Sequence, residues 1–416
     1  MAKVVVIGQG YVGLPVAIRA AETGLSVIGL DVDERKVESL KQADSFVDDI
    51  SDEQLKEVID SGNYRASSDY NDAVGFDFAI ITVPTPLEES MTDLGFIEAA
   101  GADLAPHISP GATVVLESTT YPGTTEELLV PILERGSGLK AGEDFYVGYS
   151  PERIDPGNKT WTFVNTPKVI SGINEASLEK VREIYEQLVE KTVAVSTPKE
   201  AELTKLLENT FRHVNIALVN ELAVFAHQLG VNIWESIEAA NSKPFGYMKF
   251  TPGPGVGGHC LPVDPSYLSW QVRRKLGANF RFVELANDVN DHMPDYVVQR
   301  LLTLLNRSKK ALNGSTVLVV GVAYKPDTGD QRESPSLKIV DLHQEYVATV
   351  IAADSHVPEF QWNKDIERVE LNEQTVERAD AAVVVTPHSD LDLSLLEGLP
   401  VLDTRNVMEG SSAERL

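Results

Sequence analysis

The six residues Gly8-Gln9-Gly10-Tyr11-Val12-Gly13, set directly behind the apolar run at 4–7, constrain this chain more than any other feature. A strand that runs into glycines spaced in this way and then opens a helix is the dinucleotide-binding turn of a parallel α/β sheet. Gly8 permits the tight turn, Gly10 lets a pyrophosphate approach the backbone, and Gly13 lets helix and strand pack closely. A second apolar run at 27–30 ends at Asp31, where a carboxylate accepts both ribose hydroxyls and repels a 2'-phosphate. NAD is therefore expected over NADP. A glycine-rich turn beside a solvated aspartate would show the same letters, but strand, turn, helix and acid in this order favour the cofactor. Arg35 and Lys36 follow, and either can reach a phosphate or be solvated.

The same rhythm continues along the first half. Apolar segments at 78–83, 113–117 and 145–149 alternate with amphipathic stretches from residue 3 to about 197, the pattern of a parallel sheet wound on both faces. Beyond Pro198 the texture changes. Residues 200–229 contain neither proline nor glycine, carry apolar residues at helical spacing, and stop at Gly230, a predicted C-cap. The second half of this long helix (Val214, Ile216, Ala217, Leu218, Val219, Leu222, Ala223, Val224, Phe225) is apolar on most sides, so burial between domains or between subunits is expected. From Thr316 the strand and helix alternation returns, with strands at 316–321, 350–353, 381–386 and 401–403. The expected fold class is α/β: two Rossmann-like doubly wound parallel-sheet domains joined by a central helical domain with a long helix. The boundaries are set at 1–197, 198–300 and 301–416, consistent with a length of 416 residues.

With 43% hydrophobic and 24% charged residues, the composition is that of an ordinary globular protein. No apolar run approaches the roughly 20 residues needed to span a bilayer. The apolar start stops at Gly8 and reads as a strand rather than a signal peptide, so a cytoplasmic protein is expected. A net charge of -27 argues against binding nucleic acid or an anionic membrane through charge. Adaptation to high salt is a less favoured reading of the same number. An anionic ligand needs local cations or helix N-termini to overcome this field.

Cys260 is the only cysteine, so an intramolecular disulfide is excluded and a zinc site built on it would need three non-cysteine ligands. It lies in Pro252-Gly253-Pro254-Gly255-Val256-Gly257-Gly258-His259-Cys260-Leu261-Pro262-Val263-Asp264-Pro265. A buried small hydrophobe is one reading; a nucleophile is the other. The second gains because glycines let the backbone approach a ligand and Asp264 is a candidate proton carrier. On the long helix, Lys205, Asn209 and Arg212 share one face, where a cation, an amide and a guanidinium can stabilise an oxyanion or hold a diphosphate. A solvated stripe is the alternative, less favoured on a helix apolar elsewhere. Glu117-Ser118-Thr119-Thr120-Tyr121-Pro122-Gly123 and Ser150-Pro151-Glu152-Arg153 each follow a strand, at the edge where such sheets bind ligands. Either can also be a cap or turn.

The fingerprint, Glu117-Ser118-Thr119, Ala201-Glu202-Leu203-Thr204-Lys205-Leu206, Gly257-Gly258-His259-Cys260 and Tyr324-Lys325-Pro326-Asp327-Thr328 occur in this order. The chain thereby resembles the UDP-glucose/GDP-mannose dehydrogenase family over nearly its whole length. The resemblance implies an NAD-dependent four-electron oxidation of a nucleotide-sugar C6 alcohol to a carboxylate, with two NAD and one water. It implies Cys260 as the nucleophile that traps the aldehyde as a thiohemiacetal and then carries a thioester. Lys205 matches the lysine that steadies the oxyanion, with Asn209 beside it, and Asp264 the carboxylate that manages protons. Thr119 matches a threonine holding the reacting water, and Glu152 the glutamate at the sugar site. Tyr11, Val12, Lys36, Pro84, Thr85, Thr119 and Arg332 are expected to join Gly8, Gly10, Gly13 and Asp31 around NAD. Arg153, Arg212, Gly257, Lys325 and Arg405 are expected at the UDP-sugar.

Animal-type UDP-glucose dehydrogenases carry a second glutamate four positions after the one matched by Glu152. This chain has Pro156 there, and Arg153 replaces an aromatic. A general base at that position does not carry over, which leaves Thr119 with a bound water, Glu152 or Asp264. The segment at 242–255 looks more like bacterial enzymes acting on UDP-N-acetylhexosamines, so UDP-N-acetylglucosamine is the expected sugar. UDP-glucose, UDP-N-acetylmannosamine and UDP-N-acetylgalactosamine are the alternatives. A homodimer through the central helix is implied as well. Two other classes remain at this stage: a two-electron hydroxyacid dehydrogenase, which needs no cysteine, and a non-catalytic nucleotide-binding protein.

Overall fold

Val4, Val5, Val6 and Ile7 are all buried, which a strand allows only when both faces of its sheet are covered. The computed structural model describes residues 2–416 except 48, 89–90, 155–157, 159, 259–260, 262, 364, 409 and 411. The chain forms two compact units, Met1–Glu208 and Asn209–Leu416.

In the first unit the strands are β1 (Lys3–Ile7), β2 (Ser26–Leu30), β3 (Tyr64–Ser67), β4 (Phe78–Ile81), the small hairpin β5 (Leu87–Glu88) and β6 (Met91–Thr92), β7 (Thr113–Leu116), β8 (Tyr146–Tyr149), β9 (Lys168–Gly172) and β10 (Thr192–Ala194). The main sheet runs β10-β9-β8-β7-β4-β1-β2-β3. It is parallel except where β9 pairs antiparallel with β8. Alternate residues feed two cores: Val4, Val6, Val27 and Ile80 on one face, and Val5, Ile7, Ile28 and Ile81 on the other.

The second unit repeats the plan with β11 (Thr316–Val320), β12 (Thr349–Ala353), β13 (Glu367–Arg368), β14 (Ala381–Val384), β15 (Val401–Asp403) and β16 (Glu414–Arg415). Its order is β13-β12-β11-β14-β15-β16, parallel throughout. Val317 and Val319 enter one core and Leu318 and Val320 the other. In both sheets the order reverses beside the first strand, at β1/β4 and at β11/β14, and that is where doubly wound folds bind ligands. The expected architecture holds: two Rossmann-like sheets with a helical stretch between them in the sequence. Four strands stop earlier than the expected runs, at Ile81, Leu116, Val320 and Val384, because the chain turns out there at the C-terminal edge. β3 and β10, polar and short, were not visible as apolar runs.

The long helix spans Pro198–Leu229, with its proline in the first turn, where no N–H is needed. It ends as predicted at Gly230, whose φ is 69°. Val231 N donates to the Ala226 carbonyl at 2.8 Å and Gly230 N to the His227 carbonyl at 3.2 Å, the paired bonds of a Schellman cap. Within the chain, however, the helix is not buried all round. Leu203, Leu207, Phe211, Leu218, Leu222, Phe225 and Leu229 are each at least 43% exposed, and at about 100° per residue they fall within an arc of about 100°. Among the described residues no helix is long and apolar enough to cross a membrane.

Candidate active site

The nucleotide turn is built as its spacing requires. Gly8 has φ 93°, and a Cβ on Gly13 would lie 1.8 Å from the Gly8 carbonyl oxygen, so the helix Gly13–Glu22 can sit against β1 only with glycine there. A Cβ on Gly10 would meet nothing within 4 Å. That open space in front of a helix N-terminus with no acidic first-turn residue suits a pyrophosphate. Asp31 is buried at the end of β2; its carboxylate accepts from Gln9 N at 2.8 Å and Asp33 N at 2.9 Å. Lys36 Nζ lies 3.6 Å from Asp31 Oδ2, so it is turned toward the ribose-binding acid. Tyr11 is partly exposed beside Val12, at the helix start. Pro84 and Thr85 follow β4, and Ser118, next to Thr119, donates to the Val83 carbonyl at 2.8 Å. The loops carrying Pro84, Thr85 and Thr119 thus meet at one sheet edge. These residues fit NAD: glycine backbone for the pyrophosphate, Asp31 for the ribose.

Beyond β7 and β8 the same edge carries a buried charge network. Glu117 and Lys168 are ion-paired at 3.1 Å with almost no exposure on either side chain, and Lys168 Nζ is 3.6 Å from Glu152 Oε2. Tyr185 OH donates to Glu117, and Ile154 N donates to the other Glu152 oxygen. Burial pushes Glu117 up, with Lys168 opposing. Burial alone would lower Lys168, but Glu117 and Glu152 together hold it above the ordinary lysine value, so it stays cationic. Burial and the Glu117 charge raise Tyr185, keeping it a donor. Lys205 is buried, and its Nζ donates to the main-chain carbonyl of Glu152 at 2.5 Å. Arg153 is already committed: it pairs with Glu208 at 2.6 Å and donates to the Pro167 carbonyl at 2.6 Å. Glu202 accepts from Gly123 N at 2.5 Å, Thr125 N at 2.9 Å and Thr125 Oγ1 at 2.7 Å, which ties the long helix to the loop after β7. Burial pushes its carboxyl up to about 7. The sequence reading missed Lys168, Tyr185 and the anchoring role of Glu202. The available signal was a lysine opening the apolar run Lys168-Val169-Ile170.

In the second unit, Asn209 donates to Asp264 and Arg212 donates to Asn209, so three predicted residues form one chain of hydrogen bonds. Asp264 is buried in the first turn of helix Asp264–Leu276. Cys260 and Pro156 lie outside the described residues. The glycines just before Cys260 pack against the segment after β11: a Cβ on Gly257 would lie 2.8 Å from the Glu333 carbonyl oxygen and 3.0 Å from Tyr324 Cβ. Gly258 N donates to the Arg332 carbonyl at 3.1 Å. The Arg332 side chain pairs with Asp330 at 2.6 Å. Arg405 lies against Gly253, where a Cβ would be 2.5 Å from its Nη1; burial pushes the guanidinium down to about 10, so it remains charged at neutral pH. The loop carrying Lys325 is clamped. Asp327, at φ 59°, donates its N–H to His388 Nδ1 at 3.0 Å, and His388 Nε2 lies 2.8 Å from Asp354 Oδ2. That tautomer has its proton on Nε2.

The sequence matches the UDP-glucose/GDP-mannose dehydrogenase family in three consecutive parts. These are its NAD binding domain over residues 2–189, its central domain over 199–292 and its UDP binding domain over 318–410. The chain is 36% identical to the UDP-N-acetyl-D-mannosamine dehydrogenase of Pyrococcus horikoshii, over 98% of this chain and 96% of that one. It is 35% identical to the NDP-N-acetyl-D-galactosaminuronic acid dehydrogenase of Ralstonia solanacearum, over 99% and 96%. The solved UDP-D-ManNAc dehydrogenase structure from Pyrococcus horikoshii superposes with a TM-score of 0.89 at 34% identity, covering 99% of this chain and 98% of that one. With the NAD-binding turn and the three domains in order, the chain belongs to the UDP-glucose/GDP-mannose dehydrogenase family.

Proposed function

We propose that this protein oxidises the C6 alcohol of a UDP-N-acetylhexosamine to the uronate, with UDP-N-acetylmannosamine as its preferred sugar. The support for the sugar is the similarity over nearly full length to UDP-N-acetyl-D-mannosamine dehydrogenases, and it replaces the expectation of UDP-N-acetylglucosamine drawn from residues 242–255. The support for the chemistry is the buried Lys205 ammonium on the Glu152 carbonyl, one helical turn before Asn209 with its Asp264 partner.

NAD, when bound at Gly8–Gly13 and Asp31, supplies the hydride acceptor for each of the two oxidations. The Cys260 thiolate adds to the C6 carbonyl and retains the aldehyde carbon until the second oxidation. Lys205 and Asn209 donate to the oxygen that becomes negative as the thiolate adds. Asp264 takes up the protons released, and Thr119 holds the hydrolytic water. Glu152, with one carboxylate oxygen on Ile154 N and the other facing Lys168, orients the sugar-side turn. Lys325 and Arg405 supply positive charge for the diphosphate, which a chain of net charge -27 must provide locally.

The test is NADH formed per sugar consumed across UDP-N-acetylmannosamine, UDP-N-acetylgalactosamine, UDP-N-acetylglucosamine and UDP-glucose. Two NADH per carboxylate and fastest turnover of the mannosamine compound are expected. A ratio of one defeats the four-electron reaction, and turnover of UDP-glucose alone defeats the N-acetyl reading. Cys260→Ser is expected to bind UDP-sugar and form no carboxylate.

We further infer a homodimer formed through the exposed apolar arc of the long helix, and a cytoplasmic place of action, where NAD and nucleotide sugars are available.

A further inference from the structure

We propose that Lys168 is a positioning residue for the reaction: by pairing with Glu117 and Glu152 it fixes the turn after β8, whose Glu152 carbonyl holds the Lys205 ammonium. This rests on the functional reading above, in which Lys205 meets the developing oxyanion.

The chain of contacts is short. Lys168 opens β9, next to β8 in the sheet, and its side chain is 4% exposed. It stands between two carboxylates, 3.1 Å from Glu117 and 3.6 Å from Glu152. Glu117 is also held by Tyr185, so that end of the network is fixed to the body of the unit. Glu152 lies in the segment just after β8; its Oε1 accepts from Ile154 N, and among the described residues its buried Oε2 has no hydrogen-bond donor. Among the described residues, Lys168 is the cation that pairs with that oxygen of Glu152. The same residue, through its main-chain carbonyl, accepts from Lys205 Nζ at 2.5 Å. A shift of the Glu152 side chain would therefore move the carbonyl that aims Lys205. Surface pairs contribute little, but removing one partner of a buried pair strands the other charge.

Four variants of the full-length enzyme separate positioning from charge balance, read by melting temperature, NAD and UDP-sugar KM, and kcat with UDP-N-acetylmannosamine. Lys168→Met strands two buried carboxylates and is expected to lower both stability and kcat. The double variant Glu117→Gln/Lys168→Met removes one charge of each sign, so its melting temperature is expected to recover. Its Glu152 remains unheld, and kcat is expected to stay about 100-fold down with the NAD KM unchanged, the scale of loss from a misplaced catalytic group. Glu117→Gln alone loosens one anchor but leaves Lys168 on Glu152, and is expected to lose clearly less kcat than Lys168→Met. Recovery of kcat in the double variant overturns the proposal, as does a Glu117→Gln loss equal to that of Lys168→Met. If neither Lys168 variant folds, Glu152→Gln decides. A fall in kcat at unchanged UDP-sugar KM supports positioning, and a rise in KM alone or an unchanged kcat overturns it. Wild type run in parallel keeps the two readings apart: no NADH from any UDP-sugar removes the assigned reaction, whereas active wild type with fully active variants removes only the role of Lys168.

Discussion

Gly10 and Gly13 are three residues apart and fail for different reasons when altered. A Cβ at Gly13 collides with the Gly8 carbonyl oxygen at 1.8 Å and with Thr82 Oγ1 at 2.4 Å, so helix and strand must separate. A Cβ at Gly10 meets nothing and occupies only the space a pyrophosphate would take. Gly13→Ala is therefore expected to lower unfolding stability by about 2 kcal/mol or more, overriding the helix-propensity gain of about 1 kcal/mol. Gly10→Ala is expected to melt like wild type while weakening NAD at least about tenfold, since the added methyl displaces the phosphate rather than protein. Thermal melts with NAD titration check both, and equal effects on stability would contradict the division of roles. The spacing carried these roles openly. Lys168 was only partly legible: a lysine opening an apolar run signals a buried cation, but its partners Glu117 and Glu152 are brought to it only by the order β7-β8-β9. The ion pair of Arg153, a residue expected as a cation near the sugar, was not legible for the same reason: Glu208 lies 55 residues away.

At the scale of single elements, the end of the long helix was legible to the residue, because Gly230 is the first position after residue 199 at which a left-handed conformation is cheap. Gly230 has φ 69°, so Gly230→Ala is expected to destabilise by about 1 kcal/mol; an unchanged denaturation midpoint would mean the cap is not holding the helix. The helix Pro335–Glu345 carries a pH dependence. His343 is buried, its Nδ1 bonded to the Ile339 carbonyl at 2.7 Å, and burial pushes its pKa down to about 4. The unfolded chain takes up this proton near the usual value of about 6.5, so between those values it binds more protons than the folded state. The contribution of His343 is complete above pH 6.5 and is lost as pH falls toward 4, about 2 kcal/mol by pH 5. Denaturant unfolding at pH 7 and pH 5 should show this loss in wild type and a shallower one in His343→Leu. Parallel pH slopes would place the titration elsewhere.

For the whole molecule, two doubly wound units were readable because fully apolar strands announce sheets covered on both sides. The environment of the long helix was not, because an apolar sequence does not say which face its own chain covers. Ala217, Val219, Ala223 and Ala226 are buried, while Leu218, Leu222 and Phe225 face outward. An apolar stripe of this length on a chain of net charge -27 sets two forces against each other when copies meet: burial of leucine and phenylalanine draws them together, and like charge holds them apart. Screening weakens only the second, with a Debye length near 10 Å at 0.1 M salt and about 3 Å at 1 M. Dimerisation through this helix should therefore tighten as salt rises, whereas an interface held by ion pairs would loosen. Sedimentation equilibrium from 0.05 to 0.5 M sodium chloride distinguishes the two. Leu218→Asp/Leu222→Asp should sediment as a monomer throughout, since it places charge on the stripe without touching the buried face of the helix, and a persistent dimer in that variant would move the interface to another surface.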